Sequence, residues 1–110
     1  MKQGEIWELY LNPTKGSEQN GRRPAVIISG NMMNKYLQVV IVCPLTTSIK
    51  NYKGNLILKP DTINGLLETS EVLTFHVRSV SKTRLDKKLG KIPLQEVVKI
   101  KKTLNDILKF

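Results

Sequence analysis

A chain of 110 residues with 40% apolar side chains has material for one hydrophobic core and not for two, so 1–110 reads as a single domain. Its formal charge of +9 at pH 7 favours polyanionic partners such as nucleic acid, an anionic membrane or an acidic protein, yet no apolar run approaches the roughly 18 residues that cross a bilayer. Cys43, the one cysteine, lies inside the run VVIVCPL, which excludes an intrachain disulfide or a thiolate metal cluster and predicts a buried thiol in a soluble, cytoplasmic protein.

In chain order, EIWELYL (Glu5 to Leu11) alternates imperfectly and predicts a first strand, followed by a polar loop from Asn12 to Gly21. PAVIIS (Pro24 to Ser29) and LQVVIVCPL (Leu37 to Leu45) are rich in β-branched residues and predict two more strands, separated by turn chemistry at Gly30 and Asn31. The polar loop TTSIKNYKG leads to a fourth strand at Asn55 to Leu58. SEVLTFHVRSV (Ser70 to Val80) predicts a fifth, with Val72, Thr74, His76 and Arg78 alternating against Leu73, Phe75, Val77 and Ser79. A short strand is expected at Lys88 to Ile92. Pro93, as a first-turn N1 proline, then opens an amphipathic helix carrying Leu94, Val97, Val98, Leu104, Ile107 and Leu108, with Lys99, Lys102 and Lys109 on its wet side or last turn. The expected fold is mainly β: a small, strongly bent antiparallel barrel capped by one C-terminal helix.

The chemistry is bounded first by absences. With one histidine, one cysteine, no HExxH, no CxxC and no Walker loop, the sequence predicts neither a metal site nor a nucleotide cofactor. RNA is the substrate most easily cut without metal, because its 2′-hydroxyl is an internal nucleophile beside the scissile phosphate. The protein must then help remove the 2′ proton, stabilise charge on the phosphoryl oxygens and protonate the departing 5′ oxygen. A pair of histidines cannot come from this chain. Arginine can bind the phosphate bidentately and stabilise its charge, but being always cationic it is a poor general base, so Glu18, His76 or a hydroxyl must contribute elsewhere.

PTKGSEQNGRRPAVIIS (Pro13 to Ser29), followed by CPLTTSIKNYKG (Cys43 to Gly54), SEV (Ser70 to Val72) and VRSVSKTRL (Val77 to Leu85), resembles the MazF/PemK family of toxin endoribonucleases of type II toxin–antitoxin modules. The resemblance runs from Gly4 into the C-terminal helix. It implies a plus-type barrel similar to SH3 and CcdB-like domains and a homodimer. It also implies sequence-specific, metal-independent cutting of single-stranded messenger RNA to 2′,3′-cyclic phosphate and 5′-hydroxyl ends. A cognate acidic antitoxin is the implied protein partner, with DNA binding in the antitoxin complex and no membrane association. On the matched motifs, Arg23 and not Arg22 acts at the scissile phosphate as ligand and proton donor, Thr46 is the catalytic threonine, and Glu18 is the loop glutamate that helps activate the 2′-hydroxyl. RNA contacts fall on Lys15, Ser17, Gln19, Thr47, Lys50, Tyr52, Lys53, His76 and Arg78. His76 stands where the family often has glutamine, which bears on the sequence cut. Arg78 matches an arginine that some members use in proton transfer, but the accompanying aspartate is absent, since Val80 and Ser81 follow Ser79.

Two other readings stay open on the sequence. A gyrase-poisoning toxin on the same barrel would act on a protein target, although LNDILKF offers no positive match to the helix end such poisons use. A noncatalytic RNA-binding module would keep the charge and dispense with Arg23 and Thr46.

Overall fold

The computed structural model describes residues 1–10 and 21–109. Among these, the chain forms β1 (Glu5–Tyr10), β2 (Arg22–Ile27), α1 (Asn31–Tyr36), β3 (Val39–Thr46), β4 (Ile57–Leu58), β5 (Ser70–Val72), β6 (Arg78–Ser81), β7 (Leu85–Lys91) and α2 (Leu94–Ile107). The strands form one antiparallel sheet in the order β4-β5-β3-β2-β1-β7, with β6 on β3 beside β5. The expected mainly β architecture with a C-terminal helix is the one observed.

The central strands are apolar on both faces because the curled sheet buries both. One cluster takes Ile6, Val26, Ile28, Cys43 and Leu45 together with Val97 and Ile100 of α2. On the other face Leu9, Ala25, Ile27, Val40 and Val42 pack with Val80 and Leu85 from β6 and β7, with the half-buried Trp7 at the margin. This two-sided burial explains why PAVIIS and VVIVCPL are continuous apolar runs rather than alternating ones. Burial pushes the Cys43 thiol up to about 12, so it stays protonated and inert as predicted. Ile100 is 1% exposed, and Ile100→Ala is expected to destabilise the fold by about 2–5 kcal/mol, read as a lower denaturant midpoint.

Three sequence expectations need correction. The connection after β2 is not a simple Gly-Asn turn but the helical turn α1, with Gly30 as its N-cap. Buried Asn34 fixes it there, donating from Nδ2 to the Ser29 carbonyl (2.9 Å) and accepting from the Ser29 hydroxyl, while Ser29 Oγ accepts the Ile41 amide (3.0 Å). Pro93 is the N-cap of α2 and not its first helical residue.

The third correction matters most for function: Ser70 to Val80 is not one continuous strand. Leu45 pairs with Val72 and Val42 with Arg78, so three steps along β3 are matched by six along the facing strip. The three extra residues loop out as a 3₁₀ turn at Thr74–His76. An odd insertion reverses the inward and outward alternation beyond it, which is why Val72 is buried while Arg78 is exposed, although the sequence places them on one side.

The wet face of α2 is as expected: Lys99 pairs with Glu96 (3.2 Å), and Lys102 and Lys109 with Asp106 (3.0 and 3.5 Å). Among the described residues no helix is long and apolar enough to cross a membrane.

Candidate active site

The two arginines that open β2 have different surroundings. Arg22 donates from Nη2 to the Tyr10 hydroxyl (2.7 Å), lies over the Tyr10 ring (4.9 Å to its centroid), and approaches Asp86 (3.4 Å) and Glu8 (3.8 Å). The Tyr10 hydrogen bond, with the charges around it, raises its pKa above the ordinary arginine value. Arg23 is exposed, and its side chain has no hydrogen bond or ion pair among the described residues. Consecutive residues on a strand point to opposite faces, so one guanidinium is tied across the sheet while its neighbour is left to face a ligand.

Opposite β2 runs β3, with Ala25 facing Pro44. The paired register ends there, and beyond it come Arg23 on β2 and Thr46, the last residue of β3. Both line an open cleft of about 330 Å³ together with Arg22, Pro24, Leu45, Thr47, Ser48 and Ser70. Thr46 Oγ1 accepts the Ser48 amide (3.1 Å). That bond occupies one lone pair of the hydroxyl and leaves its proton free to donate. A second cleft of about 420 Å³ also takes Arg23 as wall, with Pro44, Leu73, His76 and Arg78. Arg23 therefore stands between a hydroxyl-lined recess and a cationic one.

The structure brings together Arg23, Thr46 and Thr47 in one cleft and Arg23, His76 and Arg78 in the other. Lys50, Tyr52 and Lys53 are exposed on the loop between β3 and β4 and line neither. Lys15, Ser17, Glu18 and Gln19 lie outside the described residues. No three His, Cys, Asp or Glu side chains among the described residues come together as a metal site.

Sequence reasoning missed Glu71 and Phe75. Glu71 pairs with Thr46 across the β3–β5 ladder and is 0% exposed. Its Oε1 accepts the amides of Lys50 (2.8 Å) and Asn51 (2.9 Å), and its Oε2 those of Tyr52 (2.8 Å) and the Asn55 side chain (2.9 Å). Burial alone would raise this carboxyl's pKa, but the four donors outweigh it and hold it below the usual carboxylate range. The loop that follows Thr46 is thus hung on one buried anion. The available signal was a carboxylate inside the strand SEV, where an ionised side chain survives only if satisfied. Phe75 was hidden by the apparent alternation through the 3₁₀ turn. It is 45% exposed, its ring centroid 4.6 Å from that of His76 and 5.1 Å from that of Tyr52.

The description "PemK-like, MazF-like toxin of type II toxin-antitoxin system" belongs to a family model that matches residues 2–108. Endoribonuclease MazF9 of Mycobacterium tuberculosis is 30% identical over 109 residues, covering 94% of this chain and 92% of that protein. MazF from Deinococcus radiodurans superposes with a TM-score of 0.78 at 28% identity, over 98% of this chain and 96% of that one. A MazE–MazF structure from the same organism gives 0.77 at 24% identity, over 98% and 94%, a likeness of fold. The present chain belongs to the PemK-like, MazF-like toxin family of type II toxin–antitoxin systems.

Proposed function

We propose that this toxin is an endoribonuclease that cuts single-stranded RNA without a metal ion. The 2′-oxygen attacks the adjacent phosphorus, the bond to the 5′ oxygen breaks, and the products carry a 2′,3′-cyclic phosphate and a 5′-hydroxyl. The observation that carries this reading is that Arg23, whose side chain has no partner among the described residues, and Thr46 line one cleft. Arg23 neutralises the phosphoryl oxygens as charge builds and donates toward the departing oxygen, while the Thr46 hydroxyl orients the same phosphate. Glu18 is assigned to the 2′ proton by its place in the GSEQ motif alone.

The active unit is proposed to be a homodimer, with RNA lying across a groove shared by two copies. The net charge of +9 suits that polyanion and equally an acidic antitoxin segment competing for the same groove. The test is incubation of the purified protein with a long single-stranded RNA in excess chelator, followed by mapping of the ends. Discrete cuts bearing cyclic phosphate are expected. Intact RNA, or cuts appearing only when divalent metal is restored, overturns the reading.

A further inference from the structure

Phe75, Tyr52 and His76 form a line of rings that the assignment of Arg23 and Thr46 does not use. His76 is a wall of the cleft it shares with Arg23 and Arg78, Phe75 lies beside it with an interplanar angle of 41°, and Tyr52 meets Phe75 at 62°. The 62° angle is an edge contact, so these two rings do not cover one another face to face. Tyr52 and Phe75 remain 46% and 45% exposed. Two segments far apart in sequence supply them, and each is held by a specific device. The three-residue insertion on the β5–β6 strip lifts Phe75 out of the sheet. The carboxylate of Glu71 grips three consecutive amides ending at Tyr52, and Asn51 takes φ 56° within that grip. At the loop's far end the Thr103 hydroxyl donates to the Gly54 carbonyl (2.6 Å).

We propose that Tyr52 and Phe75, presented by the Glu71-held loop, form a stacking surface for an unpaired nucleobase flanking the phosphate at Arg23. The surroundings favour nucleic acid over an apolar protein knob: Lys50 and Lys53 flank Tyr52 in the chain, and His76 and Arg78 lie on the Phe75 side, so exposed rings sit within a cationic rim. Phosphate attraction combined with base stacking is how single-stranded nucleic acid is held. Aromatic stacking is tolerant of base identity and ranks bases only modestly by stacking strength, so this subsite accepts any base and favours a purine weakly.

The inference rests on the RNA reading, and its test reads binding without cleavage. A series of short 2′-O-methyl RNA oligonucleotides, which cannot be cut by 2′-hydroxyl attack, carries 2-aminopurine at successive positions and is titrated with wild type, Phe75→Leu, Phe75→Tyr and Glu71→Gln. Wild type is expected to quench the fluorophore at one position. Phe75→Leu should lose that quench and bind on the order of 10-fold more weakly, and Phe75→Tyr should keep both. Glu71→Gln touches neither ring and should still weaken the quench, with faster amide exchange at residues 50–52; full quench there removes Glu71 from the platform. Equal affinity and quench in wild type and Phe75→Leu overturns the proposal, even if the protein cuts natural RNA. Quenching by a protein that never cuts RNA keeps the platform and removes the nuclease. A Phe75→Leu defect confined to self-association or to binding of an acidic peptide assigns the rings to a protein contact and overturns it as well.

Discussion

Arg23→Ala is expected to lower the rate constant for RNA cleavage by about 10²–10³-fold while leaving the melting temperature within experimental error of wild type. The first effect follows from removing the only charge directed at the cleft that no described residue already engages. The second follows from its exposure and lack of partners among the described residues, since surface side chains without such contacts contribute little to stability. Arg23→Lys separates charge from geometry. Lysine restores a point charge but not two parallel donors, so it should recover part of the lost rate and not all. Arg22→Ala is the informative companion. Its guanidinium is engaged by Tyr10, Asp86 and Glu8, so its removal should cost less than about 10-fold in rate. Single-turnover kinetics on one RNA checks all three. If Arg22→Ala proved the inactive variant and Arg23→Ala the active one, the match of Arg23 to the R-P motif would be wrong.

The difference between the arginines shows what the sequence carries. Their spacing before Pro24 marked the pair, and the motif chose between them, but the tie from Arg22 to Tyr10 is a cross-strand contact set by register. The apolar runs of β2 and β3 and the 3.6-residue period of α2 were legible because burial is written directly into residue type. α1 was not, since six residues hold under two helical turns and its anchor, Asn34, is polar. The break at Thr74–His76 escaped for a different reason. The letters alternate smoothly through it, and only the pairing partners on β3 expose the added residues. For the site this mattered at Phe75, which the alternation assigned to the apolar side with Leu73 and Val77. Lys15, Ser17, Glu18 and Gln19, outside the described residues, rest on the motif alone.

Glu71 carries a large expected effect on stability, through its hydrogen bonds rather than through apolar packing. Glu71→Ala should destabilise the fold by about 2–4 kcal/mol, because it removes an acceptor shared by three amides and the Asn55 side chain and leaves a void where a fully buried side chain stood. The estimate stays below the sum of four lost bonds because Lys50, Asn51 and Tyr52 are exposed residues whose amides can turn to water. Glu71→Gln keeps the volume but sets an NH2 group against donors already pointing at it, so it should cost nearly as much. The sign of the pH dependence follows from the lowered pKa. A carboxyl with a folded-state pKa below its unfolded value adds stability above the unfolded value, near 4.5, and loses it as pH falls through the folded one. The difference in melting temperature between wild type and Glu71→Gln should therefore be full at about pH 6–7 and shrink below about pH 4. A difference that stayed constant to low pH would mean that the carboxylate's charge is not what holds the loop. Because Thr46 sits directly opposite Glu71, release of this loop should also disturb the hydroxyl's bond to the Ser48 amide. Glu71→Gln is therefore expected to slow cleavage as well as to lower the melting temperature, linking the buried anion to the cleft through the first residues of the loop it holds.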